Sequence, residues 1–247
     1  MSPLEAYDAL EIATALLAAF GSAFVRGLTG FGMAILLVPI LALALSPLDA
    51  VILANCLSLA IGLLEIRRLV RGSERSAWWI AGLVVLTTPL GLIALAATSP
   101  GIARVVIAGI ACSAFVAIIL PRGGTASPGR LTTGGVGVLS GLMTGYAGMP
   151  GPPVVPYYVG RALDRETAKA SMMLIFTIAA ASGLMSGAAI GALELRLPLL
   201  AALLFPAVLI GNALGNRFSG RIADTVWRAI VGLVLGGAAL AAVLRLI

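Results

Sequence analysis

The chain contains no histidine, and only 11% of its 247 residues are charged. The absence of histidine excludes His-ligated haem, His-dependent zinc sites, and Ser-His-Asp or Cys-His catalysis. The two cysteines, Cys56 and Cys112, both lie within apolar runs. We therefore interpret them as buried apolar residues, and we expect no disulfide, no metal site and no cofactor.

Apolar residues, in contrast, make up 60% of the chain, and the mean hydropathy is +1.11. Soluble domains are about 45–50% apolar and about 25% charged, so a water-soluble fold of this length cannot bury this much apolar surface. Lipid must be the solvent, which excludes a soluble enzyme, a disordered chain and a nucleic-acid-binding module. The net charge of +6 indicates basic loops that face anionic lipid headgroups.

The apolar residues form ten segments, separated by breaks that contain proline, glycine or charge. These segments cover residues 9–25, 33–45, 48–66, 77–97, 101–120, 131–146, 152–160, 166–192, 197–215 and 225–246. The stretch PRGGTASPGR at 121–130 has no apolar periodicity and is the one clear linker. It divides a single membrane domain, residues 1–247, into a first repeat at 1–120 and a second repeat at 131–247.

The two halves carry similar glycine-rich blocks. The first block reads GLTGFGMAILLVP at 27–39, and the second reads GLMTGYAGMPGPPVVP at 141–156. Apolar segments that are interrupted at matching positions of two repeats are typical of secondary transporters, whose substrate site lies at the interruptions. Broken backbone in a membrane is buried in protein or lines a cavity, so both blocks are predicted to reach the site.

The distribution of the basic residues favours an inverted arrangement of the halves. If each block crossed the membrane once, the basic residues other than Arg26 would divide eight to seven between the two faces. If each block forms a hairpin that returns to the same face, twelve share one face and only Arg104, Arg196 and Arg245 lie on the other. The positive-inside rule expects the second pattern. The predicted fold is therefore an all-α polytopic membrane protein with two inverted repeats, each with a Gly-rich broken-helix hairpin and about three full spans.

Arg26 is the strongest single candidate for a functional residue, because it lies between an apolar helix and the first glycine block. An arginine at the bilayer centre costs at least about 2.5–3.5 kcal/mol on insertion scales. Its planar guanidinium suits two oxygens of a sulfonate, sulfite or carboxylate. The alternatives are that it caps carbonyl groups of the broken helix or reaches the lipid headgroups.

The short helices after the two breaks are predicted to begin near Met33 and near Pro152. Helix N-termini carry free N–H groups and partial positive charge, so two of them aimed at the midplane would hold an anion. The candidate substrate-binding residues are Arg26, Thr29, Gly30, Phe31, Gly32, Asn55, Tyr146, Gly148, Met149, Pro150 and Gly151. The alternative for the glycines is helix packing, and for Asn55 a bond to a neighbouring helix.

Carboxylates are absent from the centres of the apolar segments. Glu65, Glu74, Asp164, Glu166, Glu194 and Asp224 lie at segment ends beside arginines, and we interpret them as surface pairs. Asp49 is predicted to cap a helix N-terminus. A proton-coupled transporter usually carries an acid within a span, so this pattern favours movement without a coupling proton.

The two glycine-rich blocks, the chain length and the short basic linker resemble the TauE/SafE sulfite exporter family of small membrane anion permeases. The resemblance extends over essentially the whole chain. It implies transport of sulfite or organosulfur anions such as sulfoacetate across a bacterial inner membrane. With the hairpin topology, both termini are expected in the periplasm and the linker 121–130 in the cytoplasm.

The predicted function is a permease or exporter for sulfite or a small organosulfur or carboxylate anion, with membrane lipid as its surroundings and no nucleic acid as partner. Proton- or sodium-coupled uptake of another small anion is one alternative, and a non-transporting membrane scaffold is another. An intramembrane enzyme needs a nucleophile with a base, or clustered acids, at mid-depth. Neither is present in the segments, so we predict no enzyme; the oligomeric state stays open.

Overall fold

A computed structural model describes residues 8–119, 128–159, 161 and 163–218. The described residues form nine α-helices. They are α1 (Ala9–Thr29), α2 (Met33–Ala44), α3 (Pro47–Gly72), α4 (Arg75–Ala96), α5 (Pro100–Ile119), α6 (Arg130–Ala147), α7 (Gly151–Val159), α8 (Arg165–Ala189) and α9 (Arg196–Phe218).

Five of the described helices, α1, α3, α4, α8 and α9, are long and apolar enough to cross a membrane. The 26 residues of α3 extend about 39 Å, which exceeds the bilayer core of about 30 Å. The 12 residues of α2 and the nine of α7 each extend less than about 20 Å. The predicted all-α polytopic membrane fold is therefore confirmed for the described part. Most of the linker at 121–130 and the whole tenth segment at 225–246 lie outside the described residues.

The short helices begin close to their predicted positions because glycine interrupts the chain before each. α2 begins at Met33, directly after Gly32, and α7 begins at Gly151, one residue before Pro152. At the start of α3, however, Ser46 is the capping residue, and its hydroxyl accepts the Asp49 N–H at 3.1 Å. The prediction that Asp49 caps this helix is wrong: its carboxylate instead lies 3.3 Å from Arg196.

Asp164 has a local role that its position beside arginines did not predict. It caps the N-terminus of α8, where its carboxylate accepts the Thr167 N–H at 2.9 Å. Hydrogen bonds from the side chain and the backbone N–H of Thr167 lower the pKa of Asp164 below its ordinary value. The DRET sequence at 164–167 thus starts α8, the helix that follows α7.

Two pairs of helices pack closely through glycine, and each pair joins the two halves of the chain. α1 lies parallel to α9, and a Cβ at Gly27 would lie only 2.7 Å from the Asn216 nitrogen and 2.9 Å from the Gly215 Cα. α6 lies parallel to α4, and a Cβ at Gly145 would lie 2.8 Å from the Gly91 carbonyl carbon. Such approaches allow van der Waals packing between membrane helices, and Gly211 and Gly215 on α9 lie equally close to the backbone of α1.

These contacts correct the interpretation of two glycines. The glycines of the two blocks are expected to let the backbone turn, but Gly27 and Gly145 both lie inside helices and serve close packing. The spacing of Gly183, Gly187 and Gly191 predicts a packing ridge on one helix face. Gly191 instead has a φ of +72°, and no described residue lies within 4 Å of its Cβ position. It lies in the turn after α8.

We expect Gly27→Ala to destabilise the protein, because its methyl group would collide with the backbone of α9. Overpacking of this kind costs about 1–3 kcal/mol, which corresponds to a fall in Tm of roughly 2–10 °C. Gly21→Ala in the same helix is the matched control, since no residue that the structure describes lies within 4 Å of its Cβ position. Thermal unfolding in detergent measures both variants; equal Tm values would contradict the close packing of α1 on α9.

Candidate functional site

The first glycine-rich break turns the chain between α1 and α2. Gly30 and Gly32 have φ angles of +84° and +92°, a region that side chains with a Cβ rarely adopt. The Thr29 hydroxyl accepts the Phe31 N–H at 3.2 Å and lies 2.7 Å from the Phe31 carbonyl oxygen, which holds the turn. Because Gly32 is the N-cap and has no side chain, no side-chain bond caps α2.

The second break has a different construction. α6 is followed by Gly148 at φ +66°, whose N–H donates to the Thr144 carbonyl at 2.8 Å, as in an αL C-cap. The Met149 N–H donates to the Met143 carbonyl at 3.3 Å. The Ser140 hydroxyl donates to the Pro150 carbonyl at 2.8 Å and ties the break back to α6. α7 therefore starts directly after Met149 and Pro150, which are both hydrogen-bonded to α6.

A cavity of about 50 Å³ lies where the two breaks meet. It is lined by Arg26, Phe31, Gly32, Met33, Ala34, Ile35, Asn55, Ser58, Gly148, Met149, Pro150, Gly151, Met173, Phe176, Thr177 and Ala180. The lining thus combines the starts of α2 and α7 with one face each of α3 and α8, and with Arg26 near the end of α1. Residues from both halves of the chain enclose the same space.

The starts of α2 and α7 offer different numbers of hydrogen-bond donors. The first three residues of α2 run from Met33 to Ile35, and each has a backbone N–H and lines the cavity. In α7 the second and third residues are Pro152 and Pro153, which have no N–H. Of the two helix N-termini that are predicted to face one anion, α2 therefore supplies most of the free backbone donors.

Asn55 presents a buried polar group without a partner. Its side chain is 2% exposed, and its Nδ2 makes no hydrogen bond to any described residue. Gly183 on α8 makes room for this amide, since a Cβ there would collide with Nδ2. An unsatisfied buried donor costs about 1–3 kcal/mol, so an acceptor that reaches Nδ2 would stabilise this arrangement.

Arg26 is buried at the edge of the cavity and is held by two side chains. Its side chain is 10% exposed; Nη1 donates to Asn212 Oδ1 at 2.8 Å, and Nη2 lies 3.6 Å from Glu65 Oε1. The prediction of Glu65 as a surface pair is wrong, because α3 carries it inward to Arg26. Lys169 adds a second cation nearby: a Cβ at Gly30 would lie 2.8 Å from its Cε. Arg26, Lys169 and Glu65 together leave one positive charge beside the first break.

The structure brings together most, but not all, of the predicted site residues. Arg26, Phe31, Gly32, Asn55 and the run Gly148, Met149, Pro150 and Gly151 line the cavity. Thr29 and Gly30 are not among the lining residues; they form part of the first turn without facing the cavity. Tyr146 lines a separate groove on the outside of α4, α5 and α6, together with Leu90 and Val106.

Some of the lining residues and partners that were not predicted do carry a signal in the sequence. Ser58 lies three positions after Asn55, which places both on one face of α3. An arginine within a span requires polar partners, and Glu65 and Asn212 were the available ones. Phe176 on α8 carried no signal, because it is an apolar residue in an apolar helix.

Comparison with known proteins decides the family. The family model described as "Sulfite exporter TauE/SafE" matches residues 15–242, which include both breaks and every described residue of the cavity. The chain belongs to the TauE/SafE sulfite exporter family. This is a family of membrane transporters, and the apolar helices agree with a multi-pass TauE/SafE protein.

One curated relative is the "Probable sulfite/organosulfonate exporter TauE" of Cupriavidus necator, which is 27% identical over 101 residues. This TauE/SafE chain matches the relative over 40% of its own length and 40% of the relative's length. No solved structure matches the chain.

Proposed function

We propose that the protein exports sulfite, or a similarly small organosulfur anion, through the cavity between the two breaks without a coupling ion. The observation that carries this proposal is the buried Asn55 amide, whose Nδ2 has no acceptor among the described residues. The groups around it are also donors or cations: the first N–H groups of α2 and the Arg26 guanidinium. An oxyanion would supply the acceptor that the Asn55 amide and the first N–H groups of α2 lack, and would compete with Glu65 for the Arg26 guanidinium.

The cavity volume favours a small anion. A cavity needs roughly 10–15 Å³ for each water-sized position, so about 50 Å³ holds about three to five such positions. Sulfite has four heavy atoms and fits this space. A longer organosulfonate requires the walls to separate, so we expect sulfite to be the better substrate.

Reciprocal packing supports the inverted-repeat part of the proposal. The first helix of each half packs on the fourth helix of the other half: α1 on α9 and α6 on α4. The third helices, α3 and α8, pack on each other. A two-fold axis in the membrane plane exchanges each of these contacts with its counterpart. We place the protein in the bacterial inner membrane, with both termini in the periplasm and the linker in the cytoplasm.

Export of an anion needs no energy source other than the membrane potential. An inside-negative potential favours export by about 2.3 kcal/mol per elementary charge per 100 mV. Sulfite carries one or two charges near neutral pH, so the potential alone drives it out of the cell.

The test is sulfite flux in proteoliposomes under an imposed potassium-diffusion potential. We expect flux that follows the sign of the potential, that saturates with sulfite, and that is slower for sulfoacetate. Protein-free liposomes and a potential of zero are the controls. If correctly inserted, folded protein moves none of the anions tested, the substrate assignment is wrong and the scaffold alternative gains support.

Proton-coupled transport is the second candidate, and the position of Glu65 beside Arg26 favours it. An acid that releases a cavity arginine when it is protonated would link a proton to the anion. The two mechanisms predict different results for Glu65→Gln. For uncoupled export, loss of the competing carboxylate lowers the KM for sulfite by roughly 3–5-fold, or about 1 kcal/mol.

For proton coupling, Glu65→Gln instead abolishes flux driven by a pH gradient. Both gradients are measured on the same vesicle preparation, with sulfite at several concentrations. Glu166→Gln is the matched control, because that carboxylate pairs with Arg68 at the exposed end of α8. An unchanged KM together with unchanged pH-driven flux would show that Glu65 takes no part in either mechanism.

A further inference from the structure

A second, larger groove lies away from the cavity, at one end of the helices. It has a volume of about 710 Å³ and lies between the first turns of α4 and α6 and the end of α7. Its lining includes Arg75, Trp79, Leu83, Arg130, Tyr157 and Arg161. The volume is more than ten times that of the cavity at the breaks, so the groove is too open to select a small inorganic anion.

The chemistry of the groove changes with depth along α4. Arg75 is the first residue of the helix, Trp79 lies about 6 Å further in, and Leu83 about 12 Å further in, at 1.5 Å per residue. Trp79 is 69% exposed and Trp78 is 48% exposed, and tryptophan concentrates at the membrane interface. The groove is therefore charged at its rim, aromatic at the interface and apolar below it.

The rim carries two positive charges that no described carboxylate neutralises. Arg161 is bonded to both oxygens of Glu74 and lies over the Tyr157 ring, with 5.1 Å between its Cζ and the ring centroid. Arg75 and Arg130, in contrast, are exposed and make no ion pair within the described part of the chain. Each is also the first residue of its helix, where a cation is unfavourable because the helix dipole is positive there. An external anion would offset that repulsion.

We propose that this groove binds an anionic phospholipid. Arg75 and Arg130 contact the phosphate, Trp79 contacts the glycerol and ester region, and Leu83 contacts the start of an acyl chain. Basic pockets between membrane helices on the cytoplasmic side bind lipids of this kind. The depth sequence of charge, aromatic ring and aliphatic side chain favours a lipid over a free phosphate, which would use only the rim. This site is separate from the transported anion and does not depend on its identity.

The test compares lipid binding by the full chain in detergent, with native mass spectrometry and thermal unfolding as readouts. The probes are phosphatidylglycerol, phosphatidylcholine and inorganic phosphate. We expect phosphatidylglycerol to remain bound and to raise Tm by roughly 3–5 °C. Phosphatidylcholine and inorganic phosphate are expected to leave Tm unchanged.

The double variant Arg75→Gln/Arg130→Gln is expected to bind phosphatidylglycerol roughly 30-fold more weakly, from two surface arginines. The matched control is Arg67→Gln/Arg71→Gln, which removes the same charge from exposed arginines of α3 outside the groove. Trp79→Gln keeps every charge, and we expect it to weaken phosphatidylglycerol binding as well. Equal losses in the two double variants, equal binding of phosphatidylcholine, or equal stabilisation by inorganic phosphate would each overturn the lipid site.

Discussion

Replacing Asn55 by aspartate is expected to reduce sulfite flux at least about 100-fold. The two side chains have nearly the same shape, but aspartate puts a negative charge into a buried cavity whose proposed ligand is an anion. Like charges in contact cost several kcal/mol, and Asn55 is only 2% exposed, so water screens little of this repulsion. Initial flux under a fixed potential measures the effect.

Two companion variants separate binding from folding. Asn216→Asp introduces the same chemical change on the exposed side of α9, and we expect flux near that of the wild type. Asn55→Leu removes the unpaired amide, so the fold keeps its stability while flux falls, because no donor remains for the anion. Flux within about threefold of the wild type in Asn55→Asp would show that this side chain does not contact the substrate.

Replacing Arg26 by alanine is expected to lower flux at least about 30-fold, which corresponds to about 2 kcal/mol. The substitution removes the cation at the cavity edge, and it also leaves Glu65 without the guanidinium 3.6 Å away. An uncompensated charge destabilises a buried site, so the single variant alone mixes two effects. Flux per folded molecule, counted after size-exclusion chromatography, is the relevant measurement.

The double variant Arg26→Gln/Glu65→Gln resolves this ambiguity, because it removes both charges and leaves groups that can still bond to Asn212. We expect its Tm to recover relative to Arg26→Ala, while its flux stays low. Arg26→Lys keeps the charge but not the planar fork that bonds Asn212, and an intermediate flux is expected. Wild-type flux in the double variant would assign Arg26 a purely structural role and leave Asn55 and α2 as the anion site.

The sequence predicted the positions of the breaks because their causes are local. Gly32 directly precedes α2, and Gly148 ends α6 with the positive φ angle that glycine permits. Composition likewise predicted membrane helices and a lipid environment, because both depend on the overall residue content rather than on particular contacts. Asn55 was predicted as a lining residue because it lies in the middle of the helix that follows the first hairpin.

The remaining features depend on contacts between distant parts of the chain. Gly27 and Gly30 belong to one block, yet only the approach of α9 shows that the first packs and the second turns. Tyr146 was assigned to the break, but α6 continues to Ala147 and carries the ring to its outer side. The bond between Arg26 and Asn212 joins residues 186 positions apart. The spacing of residues within one apolar segment cannot predict a contact between two distant segments.

The unequal starts of α2 and α7 have a consequence for how cargo is carried. Arg26, Asn55 and the first turn of α2, which carry the cation and most of the free donors among the described lining residues, all belong to the first half of the chain. The second half faces them with prolines, glycines and largely apolar side chains such as Phe176. If the halves move apart during a transport cycle, we expect the anion to stay bound to the first half. The second half can then separate from the anion without breaking an ion pair or a strong hydrogen bond.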